Sequence, residues 1–156
     1  MTTESRTFDF AAPAAVPLRP VNRPARILVL DDDDDIREIY AVVLGQNGYQ
    51  VEAAGDGQTG WEALQARRYD LLITDHEMPG LTGLELVKKV WDSGMTLAII
   101  FASGSLSHWE LQQRSSVQIA AALPKPFSPG ELVQTVQRVL SEHDVATLSH
   151  HGPLSA

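Results

Sequence analysis

Short apolar runs alternate with amphipathic stretches along the middle of the chain. Ile27–Leu30 is apolar throughout, as expected for a strand buried on both faces. The segment after it sets Ile36, Ile39, Tyr40, Val43 and Leu44 at helical spacing and runs into Asn47-Gly48, a C-cap signal. Gln50–Ala54 predicts a second, weaker strand, and Gly57–Arg68 a helix with Trp61 and Leu64 turned inward. Leu71–Thr74 predicts a third strand. Leu84, Val87, Val90 and Trp91 mark a third helix closed by Ser93-Gly94, and Leu97–Ala102 predicts a fourth strand. Ser107 and Glu110 open a predicted fourth helix at capping-box spacing. Ile119–Leu123 predicts a fifth strand. Ser128, Pro129 and Glu131 then read as N-cap, N1 proline and N3 acid of a last helix, whose buried stripe is Leu132, Val136, Val139 and Leu140.

Five strand-then-helix units predict an α/β fold with a parallel sheet, right-handed crossovers and helices on both faces. The pattern fades at both ends. Residues 1–25 read as a disordered arm rich in Ala and Pro, residues 26–142 as one domain, and residues 143–156 as a second loose tail. No internal repeat is evident. The chain has 156 residues, no cysteine and a formal net charge of −8. The missing cysteines exclude a disulfide framework and any thiolate metal site. The negative balance argues against direct nucleic-acid binding, which wants a basic surface. The apolar runs are strand-sized, so no membrane span is expected. Pro13, Pro17, Pro20 and Pro24 interrupt the first residues, which do not read as a signal peptide. A cytoplasmic protein is the expectation.

In sheets of this kind, ligands bind at the carboxyl ends of the strands. Asp31 and Asp32 follow the first predicted strand, Asp75 the third, Ser103 the fourth and Lys125 the fifth. All five therefore fall on one sheet edge. Crowded carboxylates repel, and one lysine cannot neutralise three of them. A hard divalent cation with oxygen ligands can, and Mg²⁺ is the usual choice beside phosphate. One carboxylate could then act as nucleophile toward a phosphoryl group, with the metal, the lysine and a hydroxyl stabilising its equatorial oxygens. Other readings of the same residues are plainer. Asp31–Asp35 could be a solvated acidic run, within which Asp34 and Asp35 suit a helix N-terminus. An EF-hand is excluded, because the sixth position from Asp31 is not Gly and the twelfth is Val42. His76 reads as exposed and incidental. His143, His150 and His151 read as polar tail, and Trp61, Trp91 and Trp109 as packing residues.

Four fragments in register carry a resemblance: Ile27-Leu28-Val29-Leu30-Asp31-Asp32-Asp33, Asp75-His76-Glu77-Met78-Pro79-Gly80-Leu81-Thr82-Gly83, Ser103-Gly104 and Lys125-Pro126-Phe127. With them Arg26–Leu140 resembles a response-regulator receiver domain of the chemotaxis-regulator type. The resemblance implies a flavodoxin-like, doubly wound five-stranded parallel sheet in the order 2-1-3-4-5 with five helices. It implies that Asp31 and Asp32 bind Mg²⁺, that Asp75 accepts the phosphoryl group, and that Glu77 offers its backbone carbonyl to the metal. Ser103 would contact the phosphoryl group and Lys125 would pair with it. The Lys125–Pro126 bond is typically cis in such domains. One departure stands out: the aromatic residue usual three positions before the lysine is Ala122 here, as in a subgroup of single-domain receivers. A rotamer switch cannot operate at Ala122. Movement of Gly104–Ser107 and of the fourth helix, with Trp109 on it, is expected to carry the signal instead.

The implied function is a phosphoacceptor module of a two-component or phosphorelay system. It would be phosphorylated by a histidine kinase or phosphotransfer protein and read by an unknown downstream protein, with no direct nucleic-acid or membrane contact. It would be no enzyme beyond catalysing its own phosphorylation and dephosphorylation. Two alternatives differ in class. An aspartyl-phosphate-forming phosphatase would use Glu77, two residues after Asp75, to activate water, but no cap domain is evident. A phosphorylation-independent partner-binding module would not need the full set of acids, hydroxyl and lysine. No output domain is evident after Leu140.

Overall fold

A computed structural model describes residues 23–104 and 119–150, with side chains as far as Asp144. Five strands, β1 (Arg26–Leu30), β2 (Gln50–Ala54), β3 (Leu71–Thr74), β4 (Ala98–Ser103) and β5 (Ala121–Pro124), form one sheet in the order β2-β1-β3-β4-β5. Every pairing is parallel. This is the strand order of flavodoxin-like sheets. Four helices lie among the described residues: α1 (Asp34–Gln46), α2 (Gly57–Ala66), α3 (Gly83–Asp92) and α4 (Pro129–His150). The additional helix expected to open at Ser107 and Glu110, and with it Trp109, lies outside them.

Successive residues of a strand face opposite sides of a sheet, and here both sides are covered. Ile27, Val29, Leu71, Ile73 and Ile100 point into one core with Tyr40 and Leu44 of α1 and Leu132, Val136 and Val139 of α4. Leu28, Leu30, Leu72, Ile99 and Phe101 point into the other, against Leu64 of α2 and Leu86, Val87 and Val90 of α3. Double coverage explains why residues 27–30 of β1, 71–73 of β3 and 98–102 of β4 are apolar without alternation. No helix among the described residues is long and apolar enough to cross a membrane.

Several expectations are corrected in detail. Ile39 is 53 % exposed and Trp91 44 % exposed, so neither sits in the inward stripe. Tyr40 and Leu44, one helical turn apart, supply the buried line of α1, and Leu86, Val87 and Val90 that of α3. Ile39 and Trp91 each stand one residue round the helix from these lines. α4 continues through His150, past the boundary at 142 where a loose tail was expected. No Gly or Pro interrupts the chain until Gly152-Pro153, and a formed helix propagates at one hydrogen bond per added residue.

The helix ends follow local chemistry. Asp33 caps α1 by accepting from the backbone N–H groups of Asp35 and Ile36, and Asp34 and Asp35 occupy the first turn. Ser128 and Glu131 form reciprocal bonds at the start of α4. At α3 the Thr82 hydroxyl accepts from the Glu85 N–H at 3.2 Å, and the Glu85 carboxylate accepts from the Thr82 N–H at 3.0 Å. This capping box fixes the end of the loop that begins at Asp75. Thr82→Ala should lower unfolding free energy by about 1 kcal/mol in a urea titration.

Candidate phosphoryl-acceptor and metal site

Asp31, Asp75 and Lys125 each stand one residue past a strand, or just beyond its last paired residue. Because the strands are parallel and adjacent, their ends share one edge. Leu30 pairs with Thr74 and Ser103 with Pro124. The ladder carries past the strand ends: the Asp75 N–H donates to the Leu30 carbonyl at 3.0 Å, and the Lys125 N–H to the Ser103 carbonyl at 3.1 Å. The Lys125–Pro126 peptide is cis.

The side chains converge as that placement implies. Lys125 Nζ donates to Asp31 Oδ2 at 2.6 Å and to Asp75 Oδ2 at 3.2 Å. The other oxygen of each carboxylate accepts from the backbone two residues on. The Asp33 N–H donates to Asp31 Oδ1 at 3.0 Å and the Glu77 N–H to Asp75 Oδ1 at 3.3 Å. Asp31 and Asp75 are buried, at 1 % and 8 % exposure, whereas Asp32 faces solvent. Ser103 is buried at the end of β4. The backbone of Glu77 is thus beside Asp75, and its side chain is exposed.

Burial favours a neutral Lys125. The hydrogen bond and charge of Asp31, and the charge and hydrogen bond of Asp75, outweigh it and hold the ammonium above its ordinary value. Lys125 therefore remains a cation at neutral pH. Tyr40 lies behind it, stacked on Phe127 with ring centroids 5.4 Å apart. Burial, helped by the charges of Asp31, Asp75 and Asp33 against that of Lys125, pushes the Tyr40 hydroxyl up to about 12. The phenol stays neutral and serves the loop carrying Lys125 as an apolar buttress.

Charge counting leaves the site short of cations. Asp31, Asp32 and Asp75 each offer a carboxylate oxygen, all within 4.8 Å of one another. Lys125 bonds two of them, and Asp32 has no ion-pair partner among the described residues. At an effective dielectric constant of about 20, two unit charges about 4 Å apart interact by about 4 kcal/mol. Three mutual repulsions against one lysine are therefore costly. The donor set is entirely hard oxygen, and it fits a hard divalent cation such as Mg²⁺.

Two residues around the site were given no role in the sequence, and a third was named only within a matching fragment. Thr74, fully buried, donates its hydroxyl to the Asp75 carbonyl at 2.9 Å. Arg37 donates to the Asp31 carbonyl at 2.6 Å. Gly83 packs directly on the Asp75 carbonyl. Its place in the matching fragment was legible, its contact was not. His76, expected to be exposed, is half-buried, with its ring 5.8 Å from that of Phe101. Ala122 pairs with Phe101 in the sheet. No side chain at Ala122 can rotate, and of the segment expected to move, Gly104–Ser107, only Gly104 lies among the described residues.

The chain is similar to known proteins in sequence and in fold. The response regulator receiver protein CpdR of Brucella abortus is 31 % identical over 115 residues, covering 74 % of this chain and 96 % of its own. The response regulator MprA of Mycolicibacterium vanbaalenii is 35 % identical over 117 residues, covering 75 % of this chain and 51 % of its own. The chain thus spans about half the length of the MprA relatives it matches. Among solved structures, the chemotaxis protein CheY4 of Vibrio cholerae superposes with a TM-score of 0.71 at 34 % identity, over 75 % of this chain and 99 % of that one. Residues 27–137 match the family described as the response regulator receiver domain. With the parallel sheet and the acidic edge already in place, these matches make the chain a member of that family, a phosphoacceptor signalling module of two-component systems.

Proposed function

We propose that Asp75 is the residue that accepts the phosphoryl group, from a phosphohistidine of a histidine kinase or phosphotransfer protein, with Mg²⁺ held by Asp31, Asp32, Asp75 and the Glu77 carbonyl. The observation that carries this reading is the cluster of three carboxylates at the sheet edge, two of them bonded to one lysine. A carboxylate oxygen of Asp75 forms a bond to phosphorus as the bond from phosphorus to the donor imidazole nitrogen breaks. The imidazole leaves with that electron pair, and the product is an acyl phosphate. Lys125 already spans Asp31 and Asp75, so its charge lies beside the oxygens that become negative. Ser103, at the end of the neighbouring strand, supplies the hydroxyl that contacts the transferred group. When bound, Mg²⁺ would supply the remaining positive charge. The chain catalyses this transfer to itself, and the later hydrolysis in which water attacks phosphorus and the Asp75 carboxylate leaves, but turns over no separate substrate. The module works in the cytoplasm and passes its state to a downstream protein.

Incubation with acetyl phosphate and Mg²⁺, followed by intact mass measurement and peptide mapping, tests this. One added phosphoryl group on Asp75, lost when the metal is chelated beforehand, is the expected result. Asp32→Ala should weaken Mg²⁺ binding by about tenfold or more in a calorimetric titration, yet leave the metal-free protein no less stable, because one repulsive charge is gone. Unchanged Mg²⁺ affinity in that variant would remove Asp32 from the site.

A further inference from the structure

Arg37 is tied to the loop that carries the acids and not to the metal-facing carboxylates. Its Nη1 donates to the Asp31 backbone carbonyl at 2.6 Å, and its Nη2 pairs with the Asp34 carboxylate. The side chain is only 21 % exposed. It lies over Gly55, the residue after β2, where a Cβ would stand 2.7 Å from Nη1. The guanidinium therefore links three pieces of chain: the exit of β1, the first turn of α1 and the exit of β2.

We infer that Arg37 is a positioning residue for the acid pair, and that Gly55 is a glycine because the guanidinium needs the space a side chain would take. The inference rests on the reading of Asp31, Asp32 and Asp75 as a Mg²⁺ site. Three carboxylates within 4.8 Å of one another push their own loop apart. Apart from the Lys125 bridge, the bonds that resist are few: the Asp31 N–H reaches the Ala54 carbonyl at 3.3 Å, and Asp33 bonds back to Asp31. The Arg37 bond to the Asp31 carbonyl is shorter and carries charge on its donor, which makes it the stronger restraint. By holding the carbonyl it leaves the Asp31 carboxylate to Lys125 and the metal. The planar fork reaches two acceptors on different segments at once, and a lysine ammonium on a flexible stem does not reproduce that geometry.

The experiment combines Mg²⁺ titration by calorimetry, the rate of phosphorylation by acetyl phosphate, and metal-free thermal unfolding. In Arg37→Ala the Mg²⁺ Kd should rise about tenfold or more, as for other groups that orient a metal ligand, while the rate at saturating Mg²⁺ stays near wild type. Arg37→Lys should restore little of the affinity. Gly55→Ala keeps the arginine but displaces its tip, so its Kd should shift the same way. The double variant Arg37→Ala/Gly55→Ala should be no worse than Arg37→Ala alone. An unchanged Kd in Arg37→Ala overturns the inference, even where its melting temperature falls. So does full recovery by lysine, or an effect of Gly55→Ala that persists undiminished without the arginine. The wild-type titration separates the two levels. Absent Mg²⁺ binding there overturns the metal-site reading and the inference with it, whereas normal binding in both wild type and Arg37→Ala overturns the inference alone.

Discussion

Asp75→Asn should gain no mass from acetyl phosphate and Mg²⁺ under conditions where the wild-type chain gains one phosphoryl group. The amide fills almost the same space but has no anionic oxygen to attack phosphorus, so the loss is complete and not a slowing. Stability should move the other way. Asp75 is buried and lies 3.2 Å from Lys125, and that attraction is lost in the variant. Lys125 keeps its shorter contact to Asp31, at 2.6 Å. Two repulsions, with Asp31 and with Asp32, disappear together. Without metal, the melting temperature of Asp75→Asn should therefore equal or exceed that of wild type. Added Mg²⁺ should stabilise wild type more than the variant, because a ligand stabilises only in proportion to its binding. Intact mass and thermal scans at several Mg²⁺ concentrations report both effects. A phosphorylated Asp75→Asn protein would mean that another side chain is the acceptor.

The strand ends were legible because a single rule places them. A residue just past a buried parallel strand emerges at the carboxyl edge, whatever the details of the helices. Asp31, Asp75 and Lys125 could be assigned to one edge on that rule alone, and their side chains meet there. β2 and β3 occupy the spans the apolar pattern assigned, since turn residues bound them on both sides. Helix faces were less legible. Ile39 is as apolar as its neighbours but lies at the side of α1, and only the packing of Tyr40 and Leu44 shows where the core begins. The Thr82–Glu85 cap had a readable signal in its T-x-x-E spacing. Arg37 over Gly55, and Thr74 on the Asp75 carbonyl, had none. Arg37 and Gly55 become neighbours only once β1 and β2 are side by side, and the bond from Thr74 to the carbonyl of the next residue depends on a buried rotamer that residue type does not dictate. The length of α4 was misjudged for another reason. Its polar end lacks an apolar stripe, and a stripe, not helix propensity, was the criterion.

Gly83→Ala should be the most damaging single methyl in the fold near the site. Gly83 opens α3 and is buried. Its N–H donates to the His76 carbonyl at 3.1 Å, which closes the loop after Asp75 onto its own start. A Cβ there would stand 2.1 Å from the Asp75 carbonyl oxygen and 3.0 Å from both the Asp75 carbonyl carbon and the His76 Cα. These are backbone atoms, so no rotamer change relieves the contact. The whole Asp75–His76 peptide must shift or α3 must lift from the sheet. The Asp75 carbonyl also accepts from Thr74 Oγ1 at 2.9 Å, so a shift strains a second, buried bond. Inserting a methyl group into a packed site costs about 1–3 kcal/mol, and occasionally more; a contact against fixed backbone belongs at the upper end. Displacement of a reacting group by about 1 Å can slow a reaction about 100-fold, and the backbone that must move here is that of Asp75 itself. Urea unfolding should therefore show a loss of about 3 kcal/mol, and the rate with acetyl phosphate should fall about 100-fold in the fraction that remains folded. Gly45→Ala is the control. That glycine lies within α1, with nothing within 4 Å of a Cβ, so alanine there should stabilise by about 0.5–1 kcal/mol. If Gly83→Ala unfolds like wild type and reacts at the wild-type rate, the loop does not need the close approach that the glycine permits, and Asp75 is positioned by the strand end alone.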